Sequence, residues 1–179
     1  MITLLRRLPL SAVLLLALLA TPPRARAAEP TPESTTVTQV GNPCPISSIQ
    51  TSDGSTIEFK GRVVVLNFFG TWCGPCNTEM PRLEKDLWAP LKDEGVILVA
   101  VGREHSTPEV EKFKTQKGLT FPVAADPKRD TYKHFATQYI PRCVVVGRDG
   151  EIKFQSVGFE EKDFTTLVAT VKRELAKAR

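Results

Sequence analysis

Arg62-Val63-Val64-Val65-Leu66-Asn67-Phe68-Phe69-Gly70-Thr71-Trp72-Cys73-Gly74-Pro75-Cys76 starts as an apolar, β-branched run and ends in two cysteines three positions apart. Apart from Asn67 the run shows no polar alternation, the pattern of a strand buried on both faces. Val96 to Val101 is a second such run. Between the two, Met80, Leu83, Leu87 and Leu91 recur at helical spacing. Strand, helix and strand in this order predict a βαβ unit, its helix running from Pro75 to Lys92 with a kink at Pro81.

The flanks extend this unit. Ser106-Thr107-Pro108-Glu109 reads as a helix start, with a capping serine, a proline in the first turn and a glutamate at the third position. That helix should stop at Gly118, and Asp126 to Gln138 reads as a further helical stretch. Cys143 to Val146 and Glu151 to Gln155 flank Gly147-Arg148-Asp149-Gly150, a hairpin signal. A last helix carries Phe164, Leu167, Val168, Val171 and Leu175 on one stripe. Ile46 to Phe59, split by Asp53-Gly54, predicts a leading hairpin. The fold class is α/β, a central mixed β-sheet flanked by helices with an added N-terminal β-hairpin. No internal repeat is visible.

The N-terminus reads differently. Arg6-Arg7, the apolar run Leu8 to Ala20 and the small-x-small site Ala25-Arg26-Ala27 have the form of a secretory signal peptide over residues 1–27. Its apolar core is shorter than the about 20 residues a membrane span needs, although an uncleaved leader would serve as an anchor. Residues 28–40, rich in Pro, Thr and Glu, offer little apolar surface and predict a disordered tether. Residues 41–179 form one domain. Cleavage removes Arg6, Arg7, Arg24 and Arg26, which takes 24 basic residues to 20, equal to the 20 acidic ones. The basic balance belongs to the leader, so nucleic acid is dropped as a partner.

Cys73 and Cys76 lie where the first buried strand gives way to its helix. A cysteine in a helix's first turn faces unpaired N–H groups and the positive end of the dipole, which favour thiolate. Cys73 is therefore the expected nucleophile. Cys76, one turn on and deeper, is the expected resolving thiol of a mixed disulfide. Such exchange carries its electrons on sulfur and calls for no bound cofactor. A zinc site is the rival reading, but it wants a second ligand pair, and neither Cys44, Cys143, His105 nor His134 has the spacing to supply one. A purely structural Cys73–Cys76 bridge would constrain little of the unfolded chain.

Phe68 to Cys76, with Pro81 five residues beyond, resembles the active-site helix of the thioredoxin family. Ile140-Pro141 ahead of the second hairpin resembles that family's cis-proline loop. Gly41-Asn42-Pro43-Cys44-Pro45, the Glu79 to Leu83 run and the leader are similar to the exported TlpA/ResA branch. The resemblance covers residues 41–179 and implies a thioredoxin fold and thiol–disulfide exchange on exported proteins in an extracytoplasmic or periplasmic space. It implies a disulfide-containing exported substrate and a membrane thiol reductant as electron donor, and the chain is expected to work as a monomer. It makes Cys73 and Cys76 catalytic, and Trp72, Gly74, Pro75, Ile140 and Pro141 substrate-binding.

Departures from the pattern matter too. Asn67 stands where cytosolic thioredoxins carry a buried acid, and it cannot take a proton from Cys76. Glu79, one turn past Cys76, is either its replacement or a solvated helix residue. Arg103-Glu104-His105 follows the second buried strand, so its loop either approaches the dithiol or is plain charged surface. Cys44 and Cys143 either pair with each other or leave Cys143 as a buried thiol near the site. Rival functions on this scaffold are an exported oxidant, a thiol peroxidase and a redox-inert binding module. Gly70, in place of a serine or threonine three residues before Cys73, argues against the peroxidase.

Overall fold

A computed structural model describes residues 29–177, and the expected leader, 1–27, lies outside them. The leading hairpin is present as β1 (Ser48–Gln50) and β2 (Thr56–Glu58). The main sheet holds β3 (Val63–Phe69), β4 (Val96–Arg103), β5 (Val123–Asp126), β6 (Arg142–Val146) and β7 (Ile152–Val157). Its order is β5-β4-β3-β6-β7, with β4 parallel to β3 and β5, and β6 antiparallel to β3 and β7. This is the mixed sheet the sequence predicts.

Every residue of β3 is buried, so its two faces feed two cores. Val63, Val65 and Phe69 pack with Met80, Leu83, Val110, Phe113, Phe164 and Leu167, which come from α1 (Gly74–Arg82) and its continuation, α3 (Thr107–Lys117) and α4 (Glu161–Ala176). Val64, Leu66 and Phe68 face the other way, against Ile49, Phe59, Tyr132 and Phe135. The second face is thus covered by the hairpin and a loop. Strand parity puts Asn67 on the helical side, opposite Cys143 in the β3–β6 register. Gly102 lets α3 approach β4, since a Cβ there would collide with Val110 Cγ1.

Three expectations change. The helix after the cysteines does not run on as one α-helix. Pro81, which lacks an N–H and crowds the preceding turn, is followed by a widened π segment, Leu83–Trp88, before α2 (Ala89–Leu91). Asp126 to Gln138 is not a helix: β5 ends at Asp126, and only a 3-10 turn, Tyr132–His134, follows. The Asp126 carboxylate accepts the N–H groups of Thr131 and Tyr132 and fixes a tight turn, while Arg129, at φ 61°, breaks helical backbone.

The expected tether is also ordered where described. Val37 N donates to Phe135 O (2.9 Å) and Thr137 N to Thr35 O (2.9 Å). Gln155 Nε2 donates to Thr38 O (2.9 Å) and Arg142 Nη1 to Thr36 Oγ1 (3.0 Å). Thr35 and Thr38 are buried whereas Val37 and Val40 are exposed. Backbone and threonine hydrogen bonds hold this segment, which an argument from apolar content does not register.

Candidate active site

The turn joining β3 to α1 is held from three directions. Cys73 is the N-cap of α1, with extended backbone, and its Sγ accepts the Cys76 N–H at 3.2 Å. Asn77 Nδ2 donates to the carbonyls of Thr71 and Cys73, both at 2.9 Å. His105 Nε2 accepts the Thr71 N–H at 2.9 Å, which puts the proton of a neutral ring on Nδ1. The charged loop after β4 therefore does reach the motif, and His105 is buried beneath it.

Cys73 and Cys76 form a disulfide with an S–S distance of 2.08 Å. Cys73 is 5% exposed and Cys76 fully buried, so an incoming sulfur meets Cys73 first. Trp72, 64% exposed, stands beside it, and Gly74 and Pro75 form the first turn of the helix. The Ile140–Pro141 peptide bond is cis, and Ile140 O lies 3.8 Å from Cys73 Sγ. The residues singled out from the sequence thus converge on one point of the surface.

Beneath the disulfide is a closed polar cluster. Asn67 Nδ2 donates to Glu79 Oε2 (2.7 Å) and to Cys143 Sγ (3.1 Å), and the Cys143 thiol donates to Glu79 Oε1 (3.4 Å). Glu79 is 2% exposed, so the buried reading of this residue replaces the solvated one. Burial is the main cause that lifts its carboxyl to about 7, against the pull of the Asn67 and Cys143 hydrogen bonds. Burial, with the Glu79 charge adding to it, pushes the Cys143 thiol well above the ordinary range. Glu79 lies three residues past Cys76 on the same buried face of α1. Among the described residues, the buried Asn67 Oδ1 has no hydrogen-bond partner.

Cys143 and Cys44 are both free thiols, and they pack against different cores, Cys143 with the helices and Cys44 on the hairpin side. They do not form a bridge. Among the described residues no cluster of His, Cys, Asp and Glu could hold a metal ion.

The sequence reading missed Asn77 and Tyr132. Buried Tyr132 places its hydroxyl 2.5 Å from Gln138 O and 2.6 Å from Tyr139 O and so steadies the approach to Ile140. An aromatic residue near a capping Asp126 was the only local signal for it.

The Redoxin family model matches residues 39–171. The chain is 33% identical over 128 residues to the thiol–disulfide oxidoreductase ResA of Bacillus thuringiensis strain Al Hakam, covering 70% of this chain and 73% of that one. To ResA of Halalkalibacterium halodurans it is 32% identical over 126 residues, covering 68% and 71%. Among solved structures, a candidate protein disulfide isomerase of Bacteroides thetaiotaomicron aligns with TM-score 0.76 at 30% identity, over 80% of this chain and 94% of that one. StoA of Bacillus subtilis aligns with TM-score 0.58 at 26% identity, over 69% and 93%. With a bonded cysteine pair at a helix N-terminus facing a cis-proline loop, the chain belongs to the redoxin family and is a thiol–disulfide oxidoreductase.

Proposed function

We propose that this protein reduces disulfides in exported proteins outside the cytoplasm, working as a monomer behind a signal peptide at residues 1–27. In the reduced enzyme the Cys73 thiolate attacks a substrate disulfide. One substrate sulfur leaves as thiolate, and Cys73 is joined to the other as a mixed disulfide. Cys76 then attacks Cys73 Sγ and releases the second substrate thiolate. Two electrons have passed to the substrate and the enzyme is left with the Cys73–Cys76 bond. A membrane thiol reductant returns it to the dithiol.

The observation that carries this reading is the exposure difference between the two sulfurs, with the Ile140 carbonyl beside the outer one. Trp72, Gly74 and Pro75 flank that sulfur as a contact surface, and Ile140 offers its backbone to an extended substrate next to Pro141. Glu79, whose carboxyl titrates at about 7 one turn from Cys76, accepts the proton Cys76 must lose before it attacks. The ResA relatives support thiol–disulfide chemistry of this kind.

The test is the equilibrium potential of Cys73–Cys76 against a dithiol buffer, paired with Cys76→Ser. A value near about −270 mV agrees with a reductant, whereas one near about −120 mV reverses the direction. Cys76→Ser should accumulate the mixed disulfide through Cys73. Failure to trap a substrate there removes the assigned roles.

A further inference from the structure

Alongside Cys73 runs an open groove of about 470 Å³ whose walls include Trp72, Arg103, Arg129, Tyr139 and Ile140. Ile140 also presents its carbonyl to Cys73 Sγ, so an occupant of the groove lies next to the disulfide. Three backbone outliers converge here. Among the described residues, the non-glycine positions with left-handed φ are Glu104 (64°), Arg129 (61°) and Tyr139 (69°). Such backbone is unfavourable for L side chains and concentrates where a site demands it. Arg129 and Tyr139 line the groove, and Glu104 binds its arginines.

The electrostatics name an occupant. The Arg103 guanidinium lies 5.8 Å from the Trp72 ring and 5.2 Å from that of Tyr132, and the Arg129 guanidinium lies 5.4 Å from Tyr132. The Glu104 carboxylate spans both arginines, with Oε2 3.0 Å from Arg103 Nη2 and Oε1 3.9 Å from Arg129 Nη1. Paired guanidiniums of this kind recognise carboxylates. The carboxylate present is the chain's own, its side chain is 44% exposed, and it balances one of two positive charges. The exposed faces of Trp72 and Tyr139 add apolar contact for the rest of a peptide.

We infer that this groove selects disulfide substrates bearing an Asp or Glu side chain close to the reacting cysteine, with Glu104 as an internal competitor that the substrate carboxylate displaces. The inference rests on the exchange reading above and adds the substrate class.

Reduced full-length protein is given two disulfide peptides, alike except that Glu flanks the cysteine in one and Gln in the other. The Glu peptide should react with kcat/KM on the order of tenfold higher at low salt, through KM, and the ratio should fall as ionic strength rises. Arg129→Gln should remove most of that ratio, and Glu104→Gln should enlarge it. Equal kcat/KM for the two peptides, or a ratio that Glu104→Gln shrinks, overturns the groove alone. Reduction of neither peptide overturns the exchange reading and the groove with it.

Discussion

The inner and outer sides of the disulfide are built from opposite materials. Inside, Asn67, Glu79 and Cys143 are buried and bonded to one another, with one carboxyl held near neutrality by lack of water. Outside, Trp72, Glu104, Arg129 and Tyr139 meet solvent, and Glu104 pairs with Arg129 and with the more covered Arg103. Desolvation strengthens each electrostatic effect within, and solvent screens those without. The two sulfurs sit on this border, with the proposed proton acceptor on one side and the proposed substrate groove on the other.

Substitutions on each side can break or sharpen the contrast. The largest effect is expected from Glu79→Leu, which removes the proposed proton acceptor. Resolution of the mixed disulfide should slow about a hundredfold, and the inflection near pH 7 in its rate should vanish. A rate profile that keeps this inflection would assign the proton to another group. Asn67→Ala comes next, because it leaves a buried carboxyl and thiol without their donor. Unfolding in denaturant should show a loss of about 1–3 kcal/mol, and the inflection should move above 7, since the hydrogen bond that lowers the Glu79 pKa is gone.

Stability should also follow pH. The folded Glu79 carboxyl titrates above its ordinary value of 4.5, so the folded state binds this proton more tightly than the unfolded chain does. Its contribution is full below about pH 4.5 and is lost as pH rises through about 7. Glu79→Gln should flatten that part of the unfolding profile, and an unchanged profile would place the titration elsewhere. The smallest change is expected from Tyr132→Phe, which removes the buried hydroxyl that holds the loop of the outer side from within. It should cost about 1 kcal/mol and raise KM for peptide substrates a few-fold while the pH inflection stays in place. A shift of the inflection in this variant would show that the two sides are coupled.

The inner side was closer to legible than the outer one. The apolar runs gave β3 and β4, and the cysteine spacing at their junction gave the reactive turn. Strand parity alone puts Asn67 on the face that receives α1, so the partner of Glu79 was within reach of the pattern. The groove was not, because it depends on three left-handed residues and on an ion pair, Glu104 with Arg129, that joins segments distant in sequence. β5 escaped notice because Val123-Ala124-Ala125-Asp126 is short and carries little β-branched character. The segment before residue 41 was misjudged because its order comes from main-chain pairing with 135–137, which leaves no hydropathy signature.

That pairing has a mechanical side. Tyr139 Oη donates to Pro30 O, Thr36 bridges Ala136, and Tyr139 adjoins the Ile140 carbonyl that faces Cys73. A pull applied to the chain ahead of Pro30 therefore meets the loop beside the disulfide before it meets either core. The bonds that resist it are few, and the first of them, Tyr139 to Pro30, is exposed. Whatever holds the front of the chain holds, through a handful of hydrogen bonds, the lip of the reactive sulfur.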